Sequence, residues 1–115
     1  MTFAEELRNI SDKASFNIEI SNNYKIIKEM MKECAAIGMR TFQIDVVSMN
    51  PGVTDKKLPK ENNYHTILIN RNYSIDNYYD AIMDFLLMQG FSQNNIEVAH
   101  LYTIDYSSIL ISVRW

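Results

Sequence analysis

The fold is decided by the segment Ile75–Trp115, IDNYYDAIMDFLLMQGFSQNNIEVAHLYTIDYSSILISVRW. Its first part carries apolar residues at helical spacing up to a stop at Gly90, which predicts a helix over residues 75–89. Two alternating apolar runs follow, residues 96–103 and 108–114, and predict an antiparallel hairpin. Since the alternation continues to the last residue, we expect the whole chain to form one packed unit.

The N-terminal region predicts two further helices. Residues Thr2–Glu5 match a capping box, and the apolar spacing after it predicts a helix over residues 3–13. A second helix is predicted over residues 24–37, with Gly38 as a left-handed C-cap. Between them, residues 16–20 alternate with period two, which favours an extended linker and leaves a short strand as the alternative.

The middle of the chain predicts two strands, residues 41–49 and 64–70, on either side of an irregular segment over residues 50–63. Segments this long are uncommon in small domains and are either functional or mobile. The order α-α-β-β-α-β-β predicts a single α+β domain over residues 1–115. We expect about three helices on one face of a four-stranded, largely antiparallel sheet.

Composition restricts the class of protein. At 115 residues, 47% hydrophobic and 22% charged, the chain has the composition of one ordinary globular domain. Its single cysteine, Cys34, excludes an internal disulfide and fits a reducing compartment. No secretory signal or bilayer-spanning apolar run is visible, so we expect a cytoplasmic location and no membrane partner. A net charge of −3 argues against general nucleic-acid binding.

Two charge stripes follow helical spacing. Asp76, Asp80 and Asp84 repeat every fourth residue of one predicted helix, and Lys25, Lys28 and Lys32 form a basic edge on another. These stripes are typical of solvated helix faces that lie opposite each other. A divalent metal site or a cationic partner is the alternative interpretation.

No motif for catalysis, metal binding or phosphate binding is present, and we expect no cofactor and no metal. The best candidate site is for a small anionic ligand. Mobile lysines can gather phosphate charge while a tyrosine ring stacks on a base. The alternative is a solvated loop without a ligand. The candidate ligand-binding residues are Lys56, Lys57, Lys60, Tyr64, Arg71 and Tyr73.

His65 and His100 each lie in a predicted strand, as a paired acid and base for a phosphodiester would. Two-histidine phosphoesterases need a hydroxyl residue two positions after each histidine. Those positions hold Ile67, which has no hydroxyl, and Tyr102, whose hydroxyl is a phenol on a large ring, so the pattern fails twice. We expect no catalytic residues, with an enzyme that uses both histidines as the alternative.

Several segments resemble a loose group of small α+β accessory proteins that are encoded by bacteriophages and other large DNA viruses. Many of these end in an apolar strand of Ile-Ser-Trp type. The resemblance implies a protein that is made early in infection and binds something in the host cytoplasm. The chain departs from the group by its insertion over residues 50–63 and by Val113-Arg114 within the terminal motif. The matching stretches are TFAEELRNISD (residues 2–12), Ala35-Ala36-Ile37-Gly38 before Phe42-Gln43-Ile44, Gly90-Phe91, and ILISVRW (residues 109–115).

Together these observations predict a non-catalytic binding module, a phage-type accessory protein that acts on a host factor in host takeover or counter-defence. Abundant tyrosine and methionine, and the two edges of a small sheet, predict self-association as a homo-oligomer. The alternative is a sponge that sequesters a nucleotide or a similar anionic signal. The second alternative is the small enzyme based on the two histidines.

Overall fold

A computed structural model describes residues 2–49, 61–69 and 73–115. These residues form an α+β fold, as the sequence predicts, with two α-helices rather than three. The elements in chain order are α1 (Phe3–Ala36), β1 (Thr41–Met49), β2 (Tyr64–Leu68), α2 (Ile75–Met88), β3 (Ile96–Tyr102) and β4 (Tyr106–Arg114), with a 3-10 turn at Gln93–Asn95.

The two helices predicted in the N-terminal region, and the linker between them, are one continuous helix, so that prediction is wrong. No glycine or proline interrupts α1. Phe16 and Ile20 lie one turn apart and both pack against the core, whereas Ile18 between them is exposed. Taken alone, residues 16–20 also fit the two-residue period of a strand. Their contacts with the core favour the helical conformation.

Three of the predicted helix boundaries are confirmed: the start at Thr2, the stop at Gly38 and the start of the helix at residue 75. The Thr2 hydroxyl accepts from the Glu5 amide at 3.2 Å, and the Thr2 amide donates to the Glu5 carboxylate, which completes the capping box. Ser74 caps α2 through the amide of Asn77. Gly38 has a φ of 87°, in the left-handed region that glycine occupies most easily.

The four strands form one mixed sheet in the order β2-β1-β4-β3. β4 pairs antiparallel with β3, as the predicted hairpin requires, and also antiparallel with β1. β1 and β2 are parallel, with Gln43 opposite Tyr64, so the sheet is mixed. Parallel neighbours need a connection of a dozen or more residues, which accounts for the length of the chain between Met49 and Tyr64.

Both helices pack on the same face of the sheet. The even-numbered residues Phe42, Ile44 and Val46 of β1 point into this core, where α1 contributes Ile20 and Ile27. The odd-numbered residues of β1 point to the opposite face, on which neither α1 nor α2 packs. The other core residues include Met31, Cys34, Ile67, Tyr78, Ile82, Phe85, Leu86, Ile109, Ile111 and Val113.

Candidate functional site

The N-terminal part of α1, Phe3–Ser15, forms an arm that extends beyond the body of the protein. Every residue of this arm is exposed. Phe16 is the first side chain of α1 that packs on the core, and its ring centroid lies 5.3 Å from that of Tyr73 and 5.4 Å from that of Tyr78. A helix of 34 residues measures about 51 Å. The longest dimension of the molecule is 53 Å, so α1 runs its full length.

Three large apolar side chains of the arm and one alanine lie in one row along the helix, which we call the apolar stripe: Phe3, Leu7, Ile10 and Ala14. Their spacing of four, three and four residues places them on neighbouring turns of one face. Phe3 is 73% exposed, Leu7 48% and Ile10 65%. Single exposed apolar residues are ordinary, but a contiguous row of them is typical of an interaction surface.

The apolar stripe faces away from the body. In the packed half of α1 the buried side chains include Ile20, Ile27 and Met31. At 3.6 residues per turn, the stripe lies about 120° around the helix axis from that buried row. The fold of one isolated chain therefore cannot bury the stripe by extending the existing core along α1.

Further along α1, the helix face that carries the apolar stripe carries lysines instead. Lys25, Lys28 and Lys32 stand five full turns after Leu7, Ile10 and Ala14, and all three are exposed. On α2, the carboxylates of Asp76, Asp80 and Asp84 are also exposed. Among residues 2–49, 61–69 and 73–115, no ion pair joins the two sets, so both are solvated faces.

A polar cluster joins α1, α2 and β2 where the arm meets the body. The Asn23 amide nitrogen donates to the Tyr78 hydroxyl at 2.8 Å and to the Glu19 carbonyl at 3.2 Å. The Tyr78 hydroxyl donates to the Glu19 carboxylate at 3.4 Å. His65 Nε2 lies 3.2 Å from the Asn23 amide oxygen. Because the Asn23 nitrogen already donates twice, its oxygen accepts, and the neutral His65 ring carries its proton on Nε2.

The environment of this cluster favours the neutral forms of its titratable rings. Burial lowers the pKa of His65, so the imidazole stays neutral at physiological pH. Burial, followed by the Glu19 carboxylate, raises the pKa of Tyr78 far above its usual range. Tyr78 is fully buried, so no substrate can reach its hydroxyl in this conformation. The arrangement holds α1 on α2 and β2, and it fixes the point from which the arm extends.

The predicted anionic-ligand site is described only in part. Tyr64 lies on the sheet face opposite α1 and α2, where its hydroxyl donates to Asp45 Oδ2 at 2.6 Å. Burial and this hydrogen bond raise the pKa of Tyr64. Tyr73 packs against Phe16 of α1, on the helix-covered face. The sheet therefore separates the two tyrosines. Lys56, Lys57, Lys60 and Arg71 lie outside the described residues, and their role in binding stays a prediction.

The structure does not bring the two histidines into one cleft. His65 is on β2 and His100 on β3, the two edge strands, with β1 and β4 between them. Three strand spacings separate the two strands by roughly 14 Å. His100 is exposed and lies near the rings of Tyr79 and Tyr102. Joint acid–base use of the histidines requires a common ligand within hydrogen-bond reach, which this separation disfavours.

At least four cavities open on the surface of the described residues, and two of them differ clearly in their lining. One, of about 200 Å³, lies between α1 and α2 and is lined by Lys28, Lys32, Phe85 and Phe91 among others. The other, of about 450 Å³, lies at the end of β1 and β4 and includes the charged residues Glu61, Glu97 and Arg114. Within the described parts of the chain, no group of three His, Cys, Asp or Glu side chains is placed to hold a metal ion.

Comparison of the chain with protein-family models, with curated proteins and with solved structures found no match. In the part of the chain that the structure describes, no helix combines the length and the apolar character needed to cross a membrane.

Phe3, Leu7 and Ile10 share one face of the helix predicted over residues 3–13, but that spacing alone does not distinguish a binding surface from a face that packs on the core. The sequence signal for this surface is the angular position of its apolar residues around the helix axis. The apolar row of the arm and the row formed by Ile27 and Met31 do not continue each other around a single helix. This mismatch becomes visible only when residues 3–36 are treated as one helix, because two short helices can each be rotated to face the core.

Proposed function

We propose that the protein is a non-catalytic interaction module that binds another protein chain through the apolar stripe of its helical arm. The observation that carries the proposal is the exposure of Phe3, Leu7 and Ile10 in one row on a helix that extends past the body. Amphipathic helices bind partners through anchors at this spacing. The resemblance to phage accessory proteins supplies the proposed setting, in which the module acts on a host factor as a homo-oligomer.

The energetics of the arm support the same proposal. A helical segment of this length without tertiary contacts is marginal in water, even when its end is well capped. The Thr2–Glu5 capping box and the continuous packed half of α1 favour the helical form of the arm. A partner that covers the stripe adds the burial of three large side chains, and thereby stabilises both the complex and the helix.

Site-specific photocrosslinking tests the proposal. A benzophenone amino acid replaces Ile10 on the stripe or, as the matched control, Asp12 on the opposite side of the same turn. The protein is illuminated after purification and also inside bacterial cells that express it. We expect adducts to a protein chain from position 10 and far fewer from position 12. Equal yields at the two positions, or no adduct from position 10, contradict the proposal.

A further inference from the structure

We propose that the partner of the apolar stripe is a second copy of this chain, paired antiparallel through the two arms. This inference rests on the proposed function, because it names the occupant of the same surface. The homo-oligomer that the composition predicts thereby acquires a defined interface, register and symmetry.

The charges beside the stripe select the antiparallel arrangement. Glu6 and Lys13 both flank the stripe on the same side of the helix, whereas the other flank carries the uncharged Ala4 and Ser11. In an antiparallel helix pair, like flanks of the two copies face each other; in a parallel pair, opposite flanks do. Only the antiparallel arrangement therefore places Glu6 of one copy beside Lys13 of the other, and two-fold symmetry makes this contact twice.

The stripe itself fixes the register. With the two-fold axis between Leu7 and Ile10, Leu7 packs against Ile10 of the second copy and Phe3 packs against its Ala14. Each of the four layers is then wholly apolar, and the largest side chain meets the smallest. Packing of this kind fills the space between helices without voids.

The neighbouring registers are less favourable. A shift by one heptad toward the C-terminus brings Lys13 against Lys13 of the second copy and puts Asn17 in the apolar row. A shift by one heptad toward the N-terminus brings Glu6 against Glu6. Like charges at these positions are destabilising, so the charge pattern disfavours both alternatives.

The geometry of the body permits this pairing. Every residue of the arm is exposed, and α1 first packs on the core at Phe16. The paired segment therefore ends before the body begins, and the two bodies lie at opposite ends of the dimer. The interface is small compared with the area of obligate dimers, so we expect reversible association with a dissociation constant in the micromolar range.

Sedimentation equilibrium on charge-reversal variants tests the register. Glu6→Lys or Lys13→Glu alone turns two attractive pairs into two repulsive ones and should weaken the dimer about tenfold. The double variant Glu6→Lys/Lys13→Glu should recover the affinity of the original chain. Glu6 and Lys13 are two turns apart on α1, so a recovery cannot come from a contact within one helix.

Matched controls separate this effect from net charge. Asp12→Lys and Arg8→Glu make the same charge changes on the opposite side of the helix and should leave the dimer unchanged. Ile10→Lys should abolish the dimer, while circular dichroism checks that the fold is retained. A dimer whose affinity does not recover in the double variant, or that weakens equally in the controls, overturns the register.

The two proposals fail in different ways. A chain that stays monomeric up to high micromolar concentration overturns the antiparallel dimer. If position 10 then crosslinks to a different protein, the proposed function stands and only the identity of the partner is wrong. If position 10 gives no adduct at all, both proposals fall.

Discussion

The two halves of α1 belong to one helix, yet their apolar side chains meet different surroundings. In the packed half, Ile27 is fully buried between the sheet and α2. In the arm, Ile10 has similar chemistry and is 65% exposed. The comparison shows that apolar character alone does not identify the core of this protein. The phase of the apolar row relative to the sheet decides which residues stabilise the fold and which remain available to a partner.

The largest expected effect compares these two isoleucines directly. Ile27→Ala should lower the free energy of unfolding by about 2–5 kcal/mol, because it leaves a cavity in a close-packed core. Ile10→Ala should change the stability of the monomer by less than about 0.5 kcal/mol. Urea denaturation at a protein concentration too low for association measures both. Equal losses would show that the arm is part of the folding core.

Tyr78→Phe tests the cluster at the junction of the two halves. The substitution removes the hydroxyl that accepts from Asn23 and donates to Glu19. Because Tyr78 is fully buried, we expect a loss of about 1–3 kcal/mol in the free energy of unfolding. Tyr24→Phe is the control, since the Tyr24 hydroxyl donates to the Ala81 carbonyl outside this cluster. A Tyr78→Phe variant of unchanged stability would mean that the cluster does not hold the helix on the body.

The titration of His65 in this polar cluster should make the free energy of unfolding depend on pH. Burial lowers its pKa, so the unfolded chain binds this proton more readily than the folded protein. The free energy of unfolding should therefore fall as the pH decreases below the usual histidine pKa of about 6.5, by at most about 1.4 kcal/mol per pH unit. His65→Gln, which keeps a donor for Asn23, should flatten this slope. A slope that persists in the variant must come from another group.

The smallest expected effect concerns the cap of the arm. Thr2→Ala removes the hydroxyl that accepts from the Glu5 amide, which costs a helix about 1 kcal/mol locally. We expect a small loss of helical circular dichroism from the arm, with an unchanged midpoint of denaturation for the body. A shift of that midpoint would show that the arm and the body unfold as one unit.

Local patterns were sufficient to predict much of the fold. The spacing and stop signals of α2, the closing hairpin and the cap at Gly38 are all confirmed, because each depends on a few adjacent residues. The continuity of α1 was missed because residues 16–20 fit both a strand and a helix until contacts with the core are known. The parallel pairing of β1 and β2 was missed because strand partners are chosen across the whole chain.

The candidate surface could be predicted only in part, for the same reason. The sequence shows that Phe3, Leu7 and Ile10 share a face, but it does not show whether the body covers that face. Coverage depends on the rotation of the arm relative to the packed half, which follows from α1 being one helix. The anionic-ligand site at Lys56, Lys57, Lys60 and Arg71 stays a prediction, since those residues lie outside the described part of the chain.

Hydrogen exchange measured at several protein concentrations tests the central claim most directly. If the apolar stripe is a binding surface for a second copy, the amides of residues 7–15 gain protection as the concentration rises. The amides around Ile27 should keep the same protection at every concentration, because their partners lie within the chain. Exchange of the arm that is independent of concentration, while the packed half stays protected, would contradict the claim.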